Sequence, residues 1–139
     1  MPRIAMRKER RRLLSVMIIA ALAGLVPSGL VVAFDGYGFD LGRVWQVREY
    51  ASDGSIWEGS WTRRGDSPIF DAQWRNNRTG GIAQDVIEFR QIQDGSAVLY
   101  RQRLAGTYYG PLSRDRTRIR RGTASWYSPG SFWEADIIR

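Results

Sequence analysis

After residue 42 the chain is cut into short runs by turn-forming residues, and none of the runs has helical periodicity. Asp53-Gly54 and Asp94-Gly95 are hairpin signals, because glycine supplies the positive φ that a tight β-turn needs. Gly65-Asp66-Ser67-Pro68, Ser128-Pro129-Gly130 and the stretches 76–81 and 113–117 have the same turn chemistry. The aromatic and β-branched runs between them predict strands over 43–50, 55–63, 69–75, 83–92, 96–103, 106–112, 117–127 and 132–138. Within the runs large residues alternate with polar ones. Trp57, Gly59 and Trp61 share one face, as do Phe70, Ala72 and Trp74, and again Trp133, Ala135 and Ile137. The expected fold is all-β, an antiparallel eight-stranded barrel or sandwich over 43–139.

The first 42 residues read differently. Residues 1–12 hold six of the 21 Lys and Arg residues and one acid, so most of the formal charge of +7 lies ahead of the β-region. That distribution argues against a nucleic-acid partner, which would need a basic surface on the folded domain. Residues 13–34 are 22 consecutive uncharged residues. As a helix they would span about 33 Å, close to the ~30 Å hydrocarbon core of a bilayer. Two readings compete. One is a transmembrane signal-anchor that stays in place. The other is a signal peptide removed near Phe34, after the small residues Val31-Val32-Ala33. Under the anchor reading, the positive-inside rule puts the basic 1–12 segment in the cytoplasm of a bacterial cell. Residues 35–42 are then a linker, and 43–139 a periplasmic domain at the inner membrane. Cleavage would make it a soluble periplasmic or secreted domain.

On strand two, Gly59-Ser60-Trp61 resembles the Gly-x-Trp signature of the calycins, the lipocalin and avidin barrels. The wider pattern also resembles small exported bacterial β-domains. It consists of Trp57-Glu58-Gly59-Ser60-Trp61-Thr62-Arg63-Arg64-Gly65, Phe70-Asp71-Ala72-Gln73-Trp74 and Gly122-Thr123-Ala124-Ser125-Trp126-Tyr127. The calycin resemblance implies an eight-stranded barrel but no bound lipid or vitamin; a ligand cavity is what the small-ligand alternative requires. Its lining would come from Trp57, Trp61, Phe70, Trp74, Tyr100 and Tyr108.

The chain has no His and no Cys, and Lys8 is its single lysine. The usual general base, the thiolate nucleophile and the commonest metal ligands are therefore missing. Carboxylates would have to carry any catalysis. Asp66, Asp71, Asp85, Glu88, Asp115, Glu134 and Asp136 show no spacing that pairs two of them, and they read as a solvated outer face. A non-catalytic protein without cofactor or metal is expected. Two features point to contacts instead. Arg114, Arg116, Arg118, Arg120 and Arg121 form a dense basic run whose even-numbered members would share one strand face, suited to lipid phosphates or an acidic partner subunit. Trp126, Tyr127 and Trp133, together with Trp45 and Phe132, could form an exposed aromatic patch. In the spanning segment, Ala20, Ala21, Ala23 and Gly24 would allow close packing on a neighbouring helix. The leading expectation is an accessory subunit of a larger membrane complex, respiratory or photosynthetic, binding membrane protein subunits and lipid headgroups. The alternative is a released small-ligand barrel.

Overall fold

The computed structural model describes residues 40–139. The expectations for 1–12, 13–34 and 35–39, with Ala20, Ala21, Ala23 and Gly24, lie outside the described residues. Among the described residues no helix is long and apolar enough to cross a membrane.

Eight strands form one closed antiparallel barrel. They are β1 (Val44–Tyr50), β2 (Ile56–Arg63), β3 (Ile69–Asn76), β4 (Ile82–Gln93), β5 (Ser96–Arg101), β6 (Gly106–Pro111), β7 (Arg118–Ala124) and β8 (Phe132–Ile138). Each strand pairs with the next, and β1 closes on β8 with Val44 opposite Ile138 and Tyr50 opposite Phe132. Closure decides between barrel and sandwich, and it removes both free edges.

The strand bounds differ from expectation where turns hide in strand-like composition. β5 stops at Arg101, and 102–105 turn through Ala105, whose φ is +51°. β7 stops at Ala124, because the Tyr127 amide folds back onto the Ala124 carbonyl. Asp94-Gly95 is a two-residue turn with positive φ at both positions, whereas Asp53-Gly54 lies in a wider loop over 51–55.

The barrel has two unlike ends. The floor carries both ends of the described chain and the turns 64–68, 94–95 and 112–117. Here Leu41 is buried and its carbonyl accepts the Trp45 indole N–H at 2.7 Å. Residues 40–42, which the sequence assigns to a linker, thus plug the barrel. Above them the interior is solid with side chains. Trp61 lies at its centre, with ring centroids 5.8 Å from Trp45, 5.2 Å from Tyr108 and 5.6 Å from Trp133. Eight-stranded barrels are just wide enough to be filled this way or to hold one small ligand. The other end, the mouth, carries the loops 51–55, 77–81, 102–105 and 125–131.

One seam is thinly bonded. β6 and β7 pair only at Tyr108–Ala124 and Tyr109–Thr123, with an isolated bridge at Leu112–Ile119. The Trp133 indole N–H lies beneath the gap and is shared by the Thr123 carbonyl at 2.9 Å and the Tyr109 carbonyl at 3.3 Å. Gly110 and Gly122 make room for that ring, since a Cβ on either would strike it.

Candidate functional site

The inward stripe changes character toward the mouth. In β1 it runs Trp45, Val47, Glu49. In β4 it runs Phe89, Ile87, Asp85, and in β5 Ala97, Leu99, Arg101. Three charged side chains therefore occupy positions that alternation reserves for the core. Asp85 and Arg101 form an ion pair, Nε to Oδ2 at 2.8 Å, with the Asp85 side chain 2% exposed. The Asp85 carboxylate also accepts the amides of Val86 at 2.7 Å and Arg103 at 2.9 Å. Burial pushes its carboxyl up, but the Arg103 amide, the Arg101 guanidinium and the Val86 amide together hold it below the ordinary 3.8.

Glu49 is 8% exposed and is held by hydroxyls rather than by a direct ion pair. Its Oε1 accepts the Tyr108 hydroxyl at 2.6 Å and its Oε2 the Tyr127 hydroxyl at 2.7 Å. Arg101 Nη1 donates to the Tyr108 oxygen at 3.4 Å, so one hydroxyl bridges the carboxylate and the guanidinium. The guanidinium carbon sits 4.4 Å from the Trp74 ring centroid and 5.5 Å from that of Trp126, both within cation–π range. Burial is the largest influence on Glu49 and lifts its carboxyl above the ordinary 4.5, against the pull of the two hydroxyls and Arg101. Both tyrosine hydroxyls are raised, by burial first and then by Glu49, so they remain donors at neutral pH.

Glu49 and Arg101 form the bottom of an open cup of about 360 Å³ at the mouth, walled by Trp57, Trp74, Trp126, Tyr127 and Leu104. A larger groove of about 530 Å³ runs along the outer wall past Gln46, Arg48, Glu58 and Gln73. Its Arg48–Glu58 pair is more than half exposed. Exposed pairs of that kind contribute little, and the groove has no buried charged group of the sort found in the cup. Among the described residues no cluster of carboxylates is placed to hold a metal ion.

The cavity residues expected from sequence separate into three groups. Trp57 and Trp74 wall the cup. Trp61, Phe70 and Tyr108 belong to the solid core, although the Tyr108 hydroxyl reaches up to Glu49. Tyr100 faces outward with the Arg90 guanidinium 5.0 Å from its ring centroid, so it does not line the cup. The aromatic patch is corrected in the same way. Trp133 and Trp45 are fully buried, while Trp126 and Tyr127 fold over the mouth. The arginine run does not share one strand face, because β7 starts only at Arg118 and bulges between Ile119 and Gly122. Arg114 and Arg116 lie on the floor turn. Arg120 clips the bulge, bonding the Ile119 and Ala135 carbonyls at 2.9 and 3.2 Å and Asp136 at 2.8 Å. Arg121 lies over the Phe132 ring. Composition and spacing alone do not mark Glu49, while Arg101 reads there as part of a basic surface and Asp85 as part of a solvated outer face. Their signal was the phase of the alternation: each is a charge in register with an apolar stripe.

No family model matches the chain, and no curated protein matches it. Two solved structures are similar to it. One is a redesigned β-barrel, mFAP1, bound to DFHBI, at 21% identity and a TM-score of 0.47, over 71% of this chain and 94% of that one. The other is a de novo designed fluorescence-activating β-barrel, at 16% identity and a TM-score of 0.43, over 76% of this chain and 97% of that one.

The burial of Glu49 has a measurable consequence. Its carboxyl holds a proton to higher pH in the folded barrel than in the unfolded chain. The stability this gives is fully present below the ordinary 4.5 and is lost as pH rises through the folded value. Asp53, Asp71, Asp85 and Asp115 have lowered values, so their contribution is present above 3.8 and lost as pH falls. The two windows do not overlap. Urea midpoints taken from about pH 4 to about pH 9 are expected to fall with pH in the native chain and to fall less in Glu49→Gln. Parallel curves for the two proteins would mean that Glu49 is not buried as described.

Proposed function

We propose that the chain is a non-catalytic barrel that binds one small molecule in the cup at its mouth. The observation that carries this reading is the cup itself, an aromatic-walled cavity above a solid core with buried Glu49 and partly buried Arg101 at its base. Such sites combine mostly apolar walls with a few placed polar groups. Binding is favoured over catalysis because Glu49 is tied to two hydroxyls and Asp85 to Arg101. The chain also offers no histidine or cysteine to work with them. We further propose that residues 13–34 hold the barrel at the bacterial inner membrane, with its binding domain in the periplasm. This rests on the 22 uncharged residues and the basic segment before them.

A role as an accessory subunit, touching partner subunits or lipid headgroups, draws its support from exposed Arg114 on the floor turn and exposed Arg118 at the start of β7. Of its other expected contacts, Arg120, Arg121 and Trp133 are engaged within the barrel, and Trp126 and Tyr127 line the cup.

The test uses the full chain recovered from membranes in mild detergent. Its indole N–H resonances are followed by NMR while planar two-ring aromatics such as quinoxaline and lumazine are added. The expected result is saturable shifts at Trp57 and Trp126, with affinity weakened about tenfold or more in Trp126→Ala. No saturable shift with any probe would defeat the binding reading. The intact mass of the same sample tests the tether: a mass matching residues 1–139 supports it, and a chain starting near Phe34 overturns it.

A further inference from the structure

We infer that the cup takes a neutral planar heteroaromatic ligand that carries both a C=O for Arg101 and an N–H for Glu49, as a lactam does. This inference rests on the mouth being a binding site and adds the chemistry that the site selects.

The walls specify a flat ligand. Trp57, Trp126 and Tyr127 line a cavity of about 360 Å³, near the lower end of the ~300–1,000 Å³ typical of small-molecule sites. That space suits a fused two-ring molecule stacked between aromatic side chains.

The base specifies the edge. Arg101 uses Nε on Asp85 and Nη1 on the Tyr108 oxygen, and Nη2 makes no hydrogen bond among the described residues. Each Glu49 oxygen accepts one tyrosine hydroxyl and keeps a second lone pair. A spare donor and a spare acceptor therefore stand on either side of the Tyr108 hydroxyl. A lactam offers the complementary pair, an acceptor oxygen beside an N–H donor.

Charge excludes the simpler alternatives. Asp85 cancels Arg101, and Glu49 lies beside them. A carboxylate ligand would meet the Glu49 side chain, and a cation would meet a guanidinium that already faces Trp74 and Trp126. A neutral edge carrying both a donor and an acceptor satisfies both groups without adding a charge. Sites built from buried polar groups also reject analogues that leave those groups unpaired.

The experiment compares five probes on the full-length protein, using tryptophan fluorescence and indole N–H shifts. Lumazine is a two-ring lactam. 1,3-Dimethyllumazine keeps its rings and carbonyls but loses the lactam N–H groups. Quinoxaline keeps only the fused rings, 2-naphthoate carries an anion and N-methylquinolinium a cation. Lumazine is expected to bind about tenfold or more tighter than each of the others, and Glu49→Gln is expected to erase that advantage. The dimethyl probe is read on the native chain, so the result stands even where the variant fails to fold. If quinoxaline, the naphthoate or the quinolinium binds as well as lumazine, the edge inference is overturned and the mouth remains a binding site. Equal binding of the dimethyl probe overturns the Glu49 contact in particular. If no probe binds, the binding site itself falls.

Discussion

Replacing Gly59 with alanine is expected to cost about 3 kcal/mol or more, at or beyond the top of the range for overpacked sites. Gly59 faces inward on β2, opposite Val47 on β1 and Trp74 on β3. A Cβ there would overlap the Gln73 carbonyl oxygen and lie 2.9 Å from both the Gln73 carbonyl carbon and the Trp74 Cα. All of these are backbone atoms of the neighbouring strand, so no rotamer change can relieve the contact. β2 and β3 would have to separate at this point, and glycine is the residue that permits close backbone approaches and bends in barrels. Gly81→Ala is the comparison, since its nearest neighbour is the Thr79 side-chain oxygen at 3.2 Å. That variant should stay within about 0.5 kcal/mol of the native chain, as surface substitutions usually do. Thermal melts followed by near-ultraviolet circular dichroism of the tryptophans give both values. A Gly59→Ala barrel that melts with the native one would show that the β2–β3 approach is looser than described.

The second large effect is at Arg101. Substitution by leucine leaves the Asp85 carboxylate buried without its guanidinium, a change that typically costs about 3–5 kcal/mol. The Arg103 and Val86 amides remain, so the carboxylate is not wholly abandoned. Adding Asp85→Asn to Arg101→Leu should recover much of the loss, because removing both members of a buried pair is far milder than removing one. A second signature follows from proton linkage. Without Arg101 the Asp85 carboxyl loses two of the influences that lower it and should titrate higher than in the native barrel. The single variant's deficit should then shrink as pH falls through that raised value, since the folded state gains a proton. Urea titrations of the four proteins at about pH 7 and about pH 4 complete the cycle. Additive losses at both sites would deny the coupling.

Most of the β-architecture was legible in the sequence because it is local. Alternation and turn residues mark each of the eight strands, and the observed bounds overlap every expected run. Two of the misplaced ends lie at Arg103 and at Ser125-Trp126-Tyr127, stretches whose side chains suit a strand but whose backbone turns. The bulges in β4 and β7 left no such mark, and the β7 bulge scattered the arginines that a regular strand would have aligned. Closure was not legible either, because it depends on pairing β1 with β8 across the whole domain. The site was half legible. Trp57 and Trp74 stood out as aromatics, whereas Glu49, Asp85 and Arg101 showed only as charges in phase with a buried stripe. Their meaning depends on which end of the barrel they occupy, and that is known only once the strands are registered.

The pairing of β1 with β8 also sets a timetable. Seven of the eight seams join neighbours in sequence and can form as soon as each hairpin is complete. The eighth must wait for Phe132–Ile138, the last strand to be synthesised. Until then β1 keeps an open edge holding Trp45 and Val47, the kind of edge that recruits stray strands. The interval between making the first strand and the last is thus when this chain is most exposed to aggregation. A truncation that removes β8 would make that interval permanent.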